Sequence, residues 1–301
     1  MSIPESQLET WSHQGAVTTA AATHESVRAA LSAPGSPLLG RGFEVYLQGS
    51  YRNTTNIRGD SDVDLVCQLN DVFFPDLSAL DAYQRHLYSQ HFSDASYGWH
   101  EFRRDCLASL RAYYGLGAVI EGNKCLKLSG NPGRLPADVV VCLQFRKYVR
   151  FLSYSDQQYV EGIRFFTLPE GREIINYPKP HYDNGVAKNA SGRTNGWYKP
   201  VVRMFKNART YLAEHGDIPD DLAPSYFLEC MLYNVRDWYF GQAYHASYDG
   251  IVQWLLAQGM QDFRCQNEQE RLFGPSPEQW SVESAQAIVS RFYILWETWG
   301  G

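Results

Sequence analysis

Apolar and polar positions follow two different periods along the chain. From residue 43 to about 180, short apolar runs with a period of two recur between turn residues, as strands require. FEVYLQGS predicts a short strand ending in a Gly-Ser turn, and SDVDLVCQL, which alternates and then runs apolar, predicts a second, largely buried strand. AVIEGNKCLKL and ADVVVCLQF read as further strands, and YVEGIRFFTLPEGREIINYP as a hairpin. Helical spacing marks residues 5–32, ending at APGSP and anchored by Leu8, Trp11, Val17 and Val27. It also marks residues 78–114, whose last stretch, HEFRRDCLASLRAYYG, ends at a glycine suited to a C-cap.

After about Pro180 the pattern changes. HYDNGVAKNASGRTNG is polar and rich in Gly and Asn, and reads as a loop. From Lys199 onward the spacing is helical: KPVVRMFKNARTYLAEHG, APSYFLECMLYNVRDWYFG, SYDGIVQWLLAQG and SVESAQAIVSRFYILWETW. Pro200 and Pro224 stand near helix starts, where proline is tolerated. The expected class is α+β: a mixed-sheet lobe with an N-terminal helix over 1–185, a helical lobe over 186–301, and a cleft between.

The 301 residues are 44% hydrophobic and carry a formal charge of −6, which argues against an extended basic surface for nucleic acid. A local basic pocket for a small phosphorylated ligand stays open. The six cysteines form no CxxC pair and mostly sit beside apolar residues, so they read as reduced core thiols. The start MSIPESQLETW lacks the basic and apolar runs of a signal peptide, and no segment approaches the roughly 20 apolar residues of a membrane span. A cytoplasmic protein is expected.

The chemistry concentrates in GSYRNTTNIRGDSDVDL, residues 49–65, where Asp60, Asp62 and Asp64 alternate. On a strand, residues i and i+2 project the same way, so Asp62 and Asp64 stand together. Adjacent carboxylates are costly unless a proton or cation neutralises them. Two Mg²⁺ or Mn²⁺ ions, which favour oxygen ligands, are the natural partners. A third acid is then expected from a neighbouring strand, and Asp138, at the head of the apolar ADVVVCL, is the candidate; Asp60 is left as a loop residue. Gly49 allows close backbone approach and Ser50 offers a hydroxyl, which suits a phosphate cradle.

Gly49-Ser50, Asp62-x-Asp64 and Asp138 resemble the signature of the DNA polymerase β-like nucleotidyltransferases. Within that superfamily, GSYRNTTNIR…SDVDLV, INYPKPHYDNGVAKN, YKPVVRMFKNARTYL and PSYFLECMLYNV resemble, in order, segments of the bacterial CD-NTases, the cGAS/DncV-like enzymes of CBASS antiphage defence. The resemblance covers roughly residues 40–240. It implies a template-independent synthase that joins nucleoside triphosphates into a cyclic di- or trinucleotide and releases pyrophosphate. Asp62 and Asp64 would hold the donor through metal, and Asp138 would position and activate the attacking hydroxyl. Regulatory or conjugating CBASS proteins would be further partners. No extended nucleic acid and no membrane would be, and a monomer is expected. In some related defence systems the synthase's C-terminus is conjugated to other molecules, and whether the terminal Gly301 is so used stays open on the sequence.

Several further residues are candidates for nucleotide contact. Lys199, Arg203 and Lys206 share one helix face, apart from Val202 and Phe205, and Lys206 resembles the family's triphosphate-binding lysine. Ser225 could reach phosphate and Tyr226 could stack on a base. Asn184, Lys188 and Asn189 are expected to form a base-selecting loop. His181 lies near this group, while the tryptophans, chiefly Trp238, Trp254, Trp296 and Trp299, read as helical core. Two other functions stay open on the residues alone: transfer to tRNA or a small acceptor, and an inactive nucleotide-binding scaffold. The acidic balance disfavours tRNA, and idle repelling carboxylates disfavour the scaffold.

Overall fold

The computed structural model describes residues 2–59, 62–241 and 243–300. Asp60 and Gly301, on which two expectations fall, lie outside the described residues. Along the chain the elements are α1 (Glu5–Ser12), α2 (Thr18–Leu31), β1 (Phe43–Leu47), α3 (Gly49–Asn53), β2 (Val63–Asp76), α4 (Ala82–His91) and α5 (Trp99–Tyr114). They continue with β3 (Val119–Glu121), β4 (Leu126–Leu128), β5 (Ala137–Ser153), β6 (Asp156–Phe166), β7 (Glu173–Asn176) and α6 (Pro178–Asn189). Last come α7 (Tyr198–Glu214), α8 (Ser225–Tyr233), α9 (Tyr244–Ala257) and α10 (Val282–Thr298). Two compact units result. A sheet unit comprises Val17–Tyr51 and Ser61–Pro180, and a helical unit comprises Met1–Ala16, Arg52–Asp60 and His181–Gly301.

In the sheet unit the strand order is β1-β2-β5-β4-β3, with β6 paired to β5 and β7 to β6. Only β2 and β5 run parallel, because α4 and α5 lie in the crossover between them; the other pairs are antiparallel. The sheet is therefore mixed, and the α+β class holds. Period-two alternation sorts the central strands into two faces. Leu65, Cys67 and Leu69 of β2 and Val139, Val141 and Leu143 of β5 are buried on the face covered by α5. There the Trp99 indole donates to the Val141 carbonyl at 2.7 Å, and the Cys67 and Cys106 sulfurs lie 3.7 Å apart. Up to the register shift between Leu69 and Phe73, the even-numbered residues, beginning with Asp64 and Asp138, occupy the other face. A satellite cluster of Leu80, Tyr88, Tyr148 and Phe151 packs under α4.

The helical unit is built around α7, whose Tyr198, Val201, Val202, Met204, Phe205, Ala208 and Leu212 are buried. Tyr248 of α9 stacks on Phe205 at 4.9 Å and on Trp296 of α10 at 5.2 Å. The α1 helix lies along α7, with Trp11 against Tyr211 at 5.7 Å. All six cysteines are buried and reduced, as the sequence indicates.

Four expectations change. Residues 5–32 form two helices, one in each unit, separated by residues 13–17. A Cβ at Gly15 would overlap the Ile57 carbonyl, so the chain is pressed against residue 57 there, and Val17 is exposed. The helix expected over 78–114 is interrupted between His91 and Trp99. Trp238 is 70% exposed, while Trp254, Trp296 and Trp299 do pack in the helical core. Much of the expected Asn-Gly loop is the helix α6. Its Gly185 sits so close to the Gln266 amide that a side chain would overlap it, and Asn184 donates to the Gln266 carbonyl at 2.8 Å. Tertiary packing here outweighs the turn preference of Asn-Gly.

Candidate active site

The two halves of the sequence motif are joined by one close approach in the sheet unit. After β1 the chain turns at Gly49, whose φ of +63° is in the left-handed region that only glycine enters without cost. A Cβ at this position would overlap the Asp64 carboxylate. The Gln48 amide, one residue earlier, donates to the Asp64 carbonyl at 2.9 Å. Ser50 follows in the first turn of α3. The expected turn and acid strand are therefore in direct contact.

Parallel pairing of β2 with β5 makes Asp64 and Asp138 register partners. Paired residues of parallel strands project to the same face about 4.8 Å apart. The register thus sets side by side two carboxylates more than seventy residues apart in the chain. Asp62 lies exposed just before β2 begins, two residues from Asp64. The Cys125 thiol hydrogen-bonds to Asp138; burial, reinforced by that charge and bond, pushes its pKa up to about 12. Among the described residues, no three His, Cys, Asp or Glu side chains are gathered into a metal cage of their own. Mg²⁺ is ordinarily held by one or two carboxylates plus substrate phosphates. A pair of hard oxygen donors beside a glycine-cleared approach fits such an ion.

Farther along the same face is a polar patch that sequence reading overlooked. The Tyr46 hydroxyl donates to Gln68 at 2.9 Å, and the Gln68 amide donates to Glu161 at 3.2 Å. The Lys179 ammonium donates to both Glu44 and Glu161 at 2.6 Å. Burial alone would lower the Lys179 pKa, but these two carboxylates hold it above its usual value.

The remaining candidates lie in the helical unit, around a carboxylate the motif search passed over. Glu229, in the second turn of α8, is buried and receives hydrogen bonds from Asn53 (3.1 Å), Thr55 (2.9 Å) and His181 (3.1 Å). Burial alone would raise its pKa; bonds from His181 and Thr55 and the charges of His181 and Lys206 outweigh that and hold it low. Lys206 is buried and donates to the Thr55 carbonyl at 2.8 Å. Arg203 donates to the carbonyls of Ser12 and Thr54, both at 2.6 Å. The Tyr182 ring carries Arg52 at 4.1 Å and Lys199 at 5.5 Å. Ser225 opens α8 directly after Pro224, and the partly exposed Tyr226 stacks on His181 at 5.4 Å.

Comparison with known proteins decides the family. Residues 183–297 match the model of the cGAS/DncV-like nucleotidyltransferase C-terminal helical domain. Over 304 aligned residues the chain is 51% identical to a cyclic UMP-AMP synthase of Rhodothermus marinus, covering all of both chains. This chain belongs to the CD-NTase family. It is also 41% identical to the cyclic nucleotide synthase CdnE01 of Staphylococcus haemolyticus, over 99% of this chain and 100% of that one. The solved structure of Rhodothermus marinus CdnE c-UMP-AMP synthase with Apcpp and Upnpp superposes with a TM-score of 0.89, over 99% of this chain and 98% of that one. The CD-NTase fold is thus present along the whole chain, and the protein is a nucleotidyltransferase.

Within this CD-NTase three of the expected base-contacting residues make internal bonds. Lys188 is buried, donating to the Val235 carbonyl at 2.7 Å and to Asp237 at 2.9 Å, with the rings of Tyr198, Tyr233 and Phe240 around it. Burial lowers its pKa despite Asp237, and its charge is committed to holding α6. Asn184 is bound to Gln266, and the Asn189 side-chain oxygen (Oδ1) accepts the Lys199 backbone amide at 3.0 Å, capping the start of α7. The segment expected to be a base-selecting loop is instead largely the helix α6, and Lys188, Asn184 and Asn189 each make an internal bond there. The overlooked Glu229 did carry a signal: an acid within the apolar run FLECMLY has no packing reason to be there.

Proposed function

We propose that this CD-NTase is a template-independent cyclic dinucleotide synthase that acts as a monomer in the cytoplasm, within antiphage signalling. One observation carries the reading. The in-register Asp64–Asp138 pair, with Gly49 cleared against it, stands in a chain that aligns end to end with a cyclic UMP-AMP synthase.

In each of two rounds a ribose hydroxyl oxygen attacks the α-phosphorus of a nucleoside triphosphate. The bond from that phosphorus to the bridging oxygen breaks, and pyrophosphate leaves with the electron pair. The second round closes the ring, so two triphosphates give one cyclic dinucleotide and two pyrophosphates. Asp62, Asp64 and Asp138 are the proposed ligands for Mg²⁺ or Mn²⁺. Bound there, two such ions would neutralise charge on the phosphates and the departing pyrophosphate. Asp138 orients the attacking hydroxyl and takes its proton. Gly49 lets the turn close onto Asp64, and Ser50 donates to a phosphate beside it. Lys206 and Ser225 bind the triphosphate, and Tyr226 offers its ring face to a base.

Incubating the protein with all four nucleoside triphosphates and Mg²⁺ or Mn²⁺ tests this by mass spectrometry. The expected result is a phosphatase-resistant cyclic product with two pyrophosphates released per ring. Pyrophosphate release only with added tRNA or aminoglycoside, or release with exclusively linear products, would overturn it.

A further inference from the structure

The helical unit places one buried negative charge where several proposed nucleotide-handling elements meet. Residues 52–59, which lead from the Gly-Ser turn towards the acid strand, belong to this unit although the motif on either side belongs to the sheet unit. They are held from two directions. The α7 cations take their carbonyls, Arg203 that of Thr54 and Lys206 that of Thr55. Glu229 of α8 takes their side chains, Asn53 and Thr55. Thr54, between those two, has a φ of +57°, uncommon for a β-branched residue, and such backbone persists where its surroundings over-determine it. The same carboxylate fixes the His181 ring through Nε2, while the buried Nδ1 has no hydrogen-bond partner among the described residues. Tyr226 stacks on that ring.

We infer that Glu229 is a positioning residue for nucleotidyl transfer. It holds residues 53–55 in the conformation that connects the phosphate turn to the metal acids, and it balances and orients Lys206. The inference rests on the reading of Lys206 as a triphosphate ligand only for its second half; the hold on residues 53–55 stands on the Asn53 and Thr55 bonds. Removing the Glu229 charge while keeping its size leaves its donors mismatched. The strained Thr54 segment then relaxes, and the groups on either side of it shift. A misplacement of about 1 Å is enough to cost roughly 10²-fold in rate.

The test compares the full-length variants Glu229→Gln, Thr55→Val, Lys206→Met and the Glu229→Gln/Lys206→Met double variant. It reads kcat and KM for pyrophosphate release together with melting temperature. Thr55→Val removes one hydroxyl at nearly constant shape, so the inference is tested even where Glu229→Gln folds poorly. Expected are a fall in kcat of about 10²-fold for Glu229→Gln and a smaller fall for Thr55→Val, which should stay folded with a melting temperature only a few degrees below the parent. The double variant should be scarcely worse than its poorer parent, because both residues act on one arrangement. Wild-type kcat in folded Glu229→Gln or Thr55→Val, or losses that multiply in the double variant, would overturn the inference. Should Lys206→Met alone keep wild-type kcat and KM, the Lys206 reading fails, and a low kcat in Thr55→Val still upholds the role of Glu229 through residues 53–55.

Discussion

Replacing Asp138 with asparagine tests the acid pair most directly, because it removes one charge while keeping the shape and an oxygen to accept from Cys125. Asp64 and Asp138 are register partners on strands about 4.8 Å apart. Two unit charges about 5 Å apart repel by about 0.8 kcal/mol in bulk water, and by about 3 kcal/mol at an effective dielectric constant of 20. Both side chains are partly exposed, so a value near 1 kcal/mol applies, falling further with salt. Without divalent cation, Asp138→Asn should therefore melt about 2 °C above the parent. An ion at one hundred times its Kd stabilises the parent by about 2.7 kcal/mol, roughly 6 °C, and should stabilise the variant far less. The two melting temperatures should cross as Mg²⁺ or Mn²⁺ is titrated in, and pyrophosphate release should fall by at least about 10²-fold. Thermal melts with EDTA and along a cation series, beside a pyrophosphate assay, read all three quantities. A metal-free melting temperature several degrees below the parent, or a full cation-dependent shift in the variant, would refute the argument.

Three further outcomes can be checked. Gly49→Ala puts a Cβ onto the Asp64 carboxylate in a left-handed backbone, which should cost about 1–2 kcal/mol and lower kcat by roughly 10²-fold; parental values of both would contradict it. Glu229 has a depressed folded pKa, so its contribution to stability is complete above the unfolded value of 4.5 and is lost as pH falls towards the lower folded value. Glu229→Gln should therefore show a shallower loss of melting temperature on the acid side than the parent, and parallel acid limbs would sink the assignment. Lys188→Ala removes a buried donor from Val235 and Asp237 and should lower stability by about 2 kcal/mol without raising KM; a raised KM at parental stability would return Lys188 to nucleotide binding.

How much was legible in advance differed by feature. The strands carrying Asp64 and Asp138 were visible because alternation and apolar runs are local, and the Gly-Ser turn was visible because glycine marks a special backbone. The basic face of α7 was visible from its i, i+4, i+7 spacing. Lys188, Asn184 and Asn189 were misplaced for one reason: polar residues around an Asn-Gly pair have the composition of a loop. The bond of Asn184 to Gln266 and the burial of Lys188 against Asp237 depend on residues 82 and 49 positions away. Glu229 was overlooked because its partners come from three separate stretches of chain.

The sequence alone determined which residue types were available and on which face of a strand or helix each would fall, since those follow from periods of 2 and 3.6 residues. Asp62 and Asp64 follow from that spacing, as does the α+β class, and Asp138 from its place at the head of an apolar strand. The tertiary structure decided which residues meet. The parallel register of β2 and β5 sets Asp138 beside Asp64, and the approach of Gly49 to Asp64 joins turn and strand. Burial converts Lys188 from a ligand candidate into a structural cation and Glu229 from an isolated acid into a centre of four segments. Register and burial are properties of pairs far apart in the chain, set by the packing of the whole unit, and no local pattern encodes them.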